Sequence, residues 1–141
     1  IPLLRNGSLC NATVVNSVQI VVRETCAFDS IFQITASGMG MHNNYKNTME
    51  TLHKTNLFIK LIIEVLKRGK ITASDYCARA TILCDIPIFS KTSYTRSISS
   101  LNTNFNVAHL AEHLFKNMPT CTTAYVIFFN SGVLLRVLVA P

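Results

Sequence analysis

The segment that most constrains this chain runs from Asn56 to Gly69. Leu57, Phe58, Ile59, Leu61, Ile62, Ile63, Val65 and Leu66 make it apolar nearly all round, so a helix here must be buried at the centre of a core. Asn56 is a good N-cap, Lys67 and Arg68 suit the negative end of the helix dipole, and Gly69 is a good residue just past the end. The other elements must therefore wrap around this helix. With 141 residues the chain is long enough to do so as one domain, residues 1–141. Charged residues make up only 14%, against roughly 25% in a typical domain, which predicts surface covered by a partner or a fragment of a larger protein. Ile1 in place of a start methionine fits a fragment or a processed product.

Upstream, Asn11–Val15 and Val18–Val22 are β-branched runs flanking Asn16-Ser17, a two-residue turn candidate without the favoured Gly. The spacing of Phe28, Ile31, Phe32 and Thr35 predicts a helix opening at Thr25-Cys26, with Thr25 as cap and Gly38 and Gly40 as terminators. Residues 42–50 read as a loop or weak helix. Downstream of Gly69, Thr72-Ala73-Ser74-Asp75 starts a helix that runs to about Leu83. Residues 90–104 are rich in Ser, Thr and Asn and read as a surface loop with an edge strand near Arg96–Leu101. Asn106 caps a helix carrying Val107, Leu110, Ala111, Leu114 and Phe115 on one face. Ala124–Phe129 and Val133–Val139, joined at Asn130-Ser131-Gly132, read as a terminal hairpin.

The chemistry sits at Cys26. In the first turn of a helix, unclaimed backbone N–H groups and the positive end of the dipole stabilise a thiolate. The ten residues Glu24–Gln33, Glu-Thr-Cys-Ala-Phe-Asp-Ser-Ile-Phe-Gln, resemble the cysteine box of ubiquitin-specific peptidases, a group of papain-like deubiquitinases. That box runs Gly-Asn-Thr-Cys-aromatic-x-Asn-Ser-x-x-Gln. Thr25, Cys26, Ser30 and Gln33 match in place; the aromatic residue is shifted to Phe28, and Asp29 stands where the family has Asn. The family's Gly and Asn before the Thr are Arg23 and Glu24 here, and its oxyanion-hole Asn, five residues before the Cys, is Val21. The resemblance implies that Cys26 attacks an isopeptide or peptide carbonyl of a ubiquitin-like protein, with its own N–H holding the oxyanion and Gln33 in support. The same run is also similar to cysteine boxes in arthropod proteins, some of them linked to mobile elements, which imply no mechanism.

A thiol of this kind needs a base. The histidines are His42, His53, His109 and His113. The resembled family carries its His on a far-downstream strand, followed by Asn or Asp. Thr122-Thr123-Ala124-Tyr125-Val126 resembles that strand without the His, and Asn130 has no His to orient. His109 or His113 are therefore the base candidates. The same two residues belong to His109-Leu110-Ala111-Glu112-His113, an H-x-x-E-H pattern that places both rings on one helix face. Zinc peptidases of that pattern need a further downstream carboxylate, and no Asp or Glu follows Glu112, so a solvated helix face is the expectation. No cofactor is expected, and a metal would find only His109 and His113.

Other classes fall away on composition. The net charge of +6 is scattered, with Lys67-Arg68-Gly69-Lys70 as its densest group, so nucleic-acid binding is not expected. There is no phosphate-binding glycine loop. The apolar run from Ala124 to Pro141 is broken by Asn130, Ser131, Gly132 and Arg136, so no membrane span is expected. Five cysteines without paired spacing predict a reducing, intracellular setting, cytoplasmic or nuclear, despite the glycosylation triplets Asn6-Gly7-Ser8 and Asn11-Ala12-Thr13.

The expected architecture is α+β. A helical layer around Leu57–Leu66 packs with the Cys26 helix and the Val107–Phe115 helix, with short antiparallel strands at both ends of the chain. This resembles the helical half of a papain-like peptidase with part of its sheet half. The expected function is a divergent or degenerate thiol peptidase-like domain of deubiquitinase type. The alternative is a non-catalytic protein-interaction module from a mobile-element or viral-type protein.

Overall fold

The computed structural model describes residues 1–52, 54–115, 121–129 and 132–139, and side chains up to residue 115 except that of Leu52. The described residues form an α+β structure. Strands β1 (Thr13–Val15) and β2 (Val18–Arg23) precede helices α1 (Cys26–Met41), α2 (Asn43–Leu52), α3 (Leu57–Arg68) and α4 (Ala73–Cys84). Strands β3 (Lys91–Ser93) and β4 (Ile98–Asn102), helix α5 (Val107–Leu114) and strands β5 (Cys121–Phe129) and β6 (Gly132–Val139) follow. One sheet has the order β1-β2-β4-β3, and β5 and β6 form a separate antiparallel pair. Among the described residues no helix is long and apolar enough to cross a membrane.

The N-terminal hairpin forms as its sequence predicts. Asn16 and Ser17 take positive φ values of 49° and 66°, the two left-handed residues of a turn whose twist matches the strands it joins. The sheet corrects the expectation of antiparallel strands alone. β4 is not an edge strand: it pairs with β2 in parallel, Ile20 opposite Ser99 and Val22 opposite Leu101, while β3 covers its other side. The Ser/Thr/Asn-rich stretch hides this pairing because a ladder needs main-chain groups, and only Leu101 of β4 contributes a fully buried apolar side chain. Thr103 then ties the strand end down, its hydroxyl donating to the carbonyls of Arg23 at 2.9 Å and Glu24 at 3.2 Å.

Helix α3 buries Phe58, Ile59, Leu61, Ile62, Ile63 and Val65. Its ends are closed as expected: Asn56 accepts from the Ile59 N–H at 3.0 Å, and Gly69 is left-handed with φ 75°. It is not apolar all round in its setting, since Leu57 is 59% exposed beside solvent-facing Lys60 and Glu64. Helix α1 shares the centre, packing against α2, α3, α5 and β6. Phe28 of α1, Phe58 of α3 and Phe115 after α5 stack edge to face, with ring centroids 5.3 and 5.6 Å apart. The glycines do not end α1, which continues through Gly38 and Gly40 to Met41. A Cβ on Gly38 would lie 3.0 Å from the Tyr45 ring, so this glycine serves close approach of α2 rather than helix termination. Asn56 also donates to the Leu114 carbonyl at 2.9 Å, fastening the start of α3 to the end of α5.

Candidate active site

Cys26 is the first residue of α1 and is exposed. The backbone enters the helix under strain: Glu24 has φ 56°, a left-handed conformation that glycine and asparagine tolerate better than glutamate. Its N–H is satisfied by the Ser8 hydroxyl at 3.1 Å. Thr25 does not cap α1 through its side chain. It is fully buried, and its hydroxyl accepts from the Gly7 N–H at 2.9 Å and donates to Asp29 Oδ2 at 2.6 Å. The Thr25 side chain therefore accepts from none of the first-turn N–H groups of α1.

The group that meets the thiol comes from an unexpected place. Asn6 Nδ2 lies 3.1 Å from Cys26 Sγ across 20 residues of sequence. Its carbonyl oxygen is occupied by the Ser8 N–H at 2.9 Å, which fixes which end of the amide faces the sulfur. Asn6 opens a short 3-10 turn, Gly7–Leu9, that lies against the end of β2. Gly7 permits the approach: a Cβ there would be 2.1 Å from the Val22 carbonyl oxygen and 2.8 Å from the Thr25 methyl.

Beneath the pair lies a buried ionic network. Arg79 of α4 is 2% exposed. One of its nitrogens, Nη1, donates both to Asp29 Oδ1 at 2.9 Å and to the Arg5 carbonyl at 2.7 Å. Its other terminal nitrogen approaches Cys10 Sγ at 3.7 Å, and its guanidinium stacks over the Tyr76 ring at 5.0 Å. The Tyr76 hydroxyl in turn accepts from the Arg5 N–H at 3.1 Å. Burial pushes the Asp29 carboxyl above its ordinary value, against the Thr25 and Arg79 contacts that favour the carboxylate. Burial likewise pushes the Cys84 thiol up.

The remaining candidates lie elsewhere. Gln33, two turns along α1 from Cys26, is half-buried, and its side-chain oxygen has no hydrogen-bond partner among the described residues. His109 is exposed and sits against Phe105 at 5.9 Å between ring centroids. His113 is half-buried and lines a cleft with Asn56, Phe58, Ile86 and Leu114. Neither hydrogen-bonds Cys26, and His42 sits at the opposite end of α1. His53, the side chains of β5 and β6, and Asn130 lie outside the described residues. Among the described residues no group of three or more His, Cys, Asp or Glu side chains is arranged to hold a metal.

Asn6 and Arg79 carry no signal in the spacing around Cys26. The position five residues before Cys26, where the resembled cysteine box has its donor, is Val21; the donor arrives instead from the segment preceding the hairpin. Asn6-Gly7-Ser8 did carry a signal, because Asn before a Gly-Ser pair is a strong turn and cap former. Comparison with protein families, with curated proteins and with solved structures finds no match to this chain.

Proposed function

We propose that this chain is a divergent thiol peptidase-like domain of deubiquitinase type, which engages ubiquitin-like proteins through Cys26. The observation that carries the reading is the 3.1 Å contact between Asn6 Nδ2 and Cys26 Sγ at the start of α1. The sulfur would attack a carbonyl carbon, and the developing oxyanion would fall between the Cys26 N–H and the Asn6 amide, two donors held in place before reaction. Glu24 supports the reading, since its left-handed backbone falls where the resembled cysteine box has Asn. Gln33 is the supporting residue on the same helix. The free thiols of Cys10, Cys26, Cys77 and Cys84 fit a reducing, intracellular setting.

No histidine among the described residues reaches the sulfur, and this favours a second reading, a non-catalytic module that binds the same class of protein. A cysteine-reactive ubiquitin probe separates the two. The enzymatic reading expects stoichiometric labelling at Cys26 that disappears in Cys26→Ala. Absence of labelling in protein that still shows its native circular dichroism overturns it, and leaves ubiquitin binding to be measured directly.

A further inference from the structure

We infer that Arg79 is a positioning residue that delivers Asn6 to Cys26 by clamping the N-terminal segment onto helix α1. Three features support this. Arg79 Nη1 bonds simultaneously to the Arg5 carbonyl, at 2.7 Å, and to Asp29 of α1, at 2.9 Å. Arg5 is the residue next to Asn6, and Asp29 lies one turn after Cys26, so one nitrogen ties together the two pieces of chain whose side chains meet at the sulfur. The clamp has a second strand on the same geometry, because Asp29 Oδ2 holds the Thr25 hydroxyl, which holds the Gly7 N–H on the other side of Asn6. Asn6 is thus fixed by its neighbours on both sides. Arg79 is also almost fully buried. A buried guanidinium is costly to maintain, and the two N–H groups of Nη1 are what let it hold main chain and carboxylate together.

The catalytic meaning of the clamp rests on reading Cys26 as the nucleophile, but the clamp is testable without it. The test is the rate at which iodoacetamide alkylates Cys26 in the whole chain, followed by peptide mass spectrometry, in wild type, Asn6→Ala, Arg79→Lys and the double variant. Lysine keeps the charge, but its nitrogen ends one bond short of the Nη1 position from which both acceptors are reached. Asn6→Ala is expected to change the rate by about tenfold, the effect of losing one hydrogen bond at the sulfur. Arg79→Lys is expected to change it in the same direction to a similar extent, and the double variant to add nothing further. If Arg79→Lys leaves the rate at the wild-type value, or if the two effects multiply, the positioning role is overturned. Should Arg79→Lys fail to fold, Asp29→Asn serves instead: it keeps the shape, weakens the clamp, and must shift the rate in the same direction by a smaller factor. The ubiquitin probe remains a separate readout. Failure of the probe with an intact alkylation cycle removes the peptidase reading and leaves the clamp; an intact probe with no coupling removes the clamp alone.

Discussion

Two arginine–aspartate pairs hold helix α4, and they differ in kind. Arg68 and Asp75 meet at the α3–α4 turn, seven residues apart, with contacts of 2.6 and 2.9 Å. Arg79 and Asp29 meet across 50 residues, inside the structure. The first pair completes a capping box, in which Asp75 also accepts from the Thr72 N–H and hydroxyl. Burial would raise the Asp75 carboxyl, but the Arg68 and Thr72 bonds together outweigh it and hold it below its ordinary value. At Asp29 the balance reverses, and burial keeps the carboxyl above its ordinary value despite two partners. The local pair is thus favourable as an ion pair. The long-range pair is maintained against its desolvation.

The largest expected effect lies at the long-range pair. Arg79→Met should cost about 3–5 kcal/mol, since it removes one partner of a buried pair and the bond to the Arg5 carbonyl. The urea midpoint of unfolding measures this. An effect within 1 kcal/mol, on the order of a surface contact, would erase the distinction between the pairs. Gly7→Ala should follow, at roughly 1–3 kcal/mol, because the new methyl meets main chain at the Val22 carbonyl and cannot be accommodated by rotating a side chain. At the local pair, Thr72→Ala should cost about 1 kcal/mol, the ordinary value of an N-cap, and should leave Cys26 alkylation unchanged.

Acid dependence sharpens the same contrast. Asp75, with its lowered folded value, contributes stability above the ordinary carboxyl value of 3.8 that is lost as pH falls through the lowered one. Asp29, with its raised folded value, does the opposite: its contribution is present below 3.8 and is lost as pH rises through the raised value. Stability measured between about pH 2 and pH 7 should therefore lose part of its acid-side fall in Asp75→Asn, and part of its decline above the ordinary carboxyl range in Asp29→Asn. Parallel changes in the two variants would show that the pairs are alike. The smallest expected effect is a gain: Glu24→Asn should stabilise by about 0.5–1 kcal/mol by relieving the left-handed backbone before Cys26.

The same contrast marks what the sequence made legible. Asn56, Thr72 with Asp75, Asn106 and the Asn16-Ser17 turn were all readable, because a cap or turn acts on main chain within a few residues of itself. Cys26 was readable for the same reason, as a residue at a helix start. The other half of the site was not. Asn6 meets the sulfur across 20 residues and Arg79 meets Arg5 across 74, so neither leaves a periodic or spaced signature. The parallel β2–β4 pairing escaped for a related reason: it is built from main-chain groups in a stretch whose composition is that of a loop. His109 and His113 illustrate the converse, a spaced motif that the fold sets on α5 with no bond to Cys26.

The most direct test of the account is the rate of ubiquitin-probe labelling at Cys26 in Asn6→Ala, measured against wild type on protein of matched thermal stability. If Asn6 supplies the second donor of the site, labelling should slow by about 100-fold, the loss expected for one pre-set oxyanion donor. Labelling at the wild-type rate in a folded Asn6→Ala protein would contradict the account, because the 3.1 Å contact at the sulfur would then have no part in its chemistry.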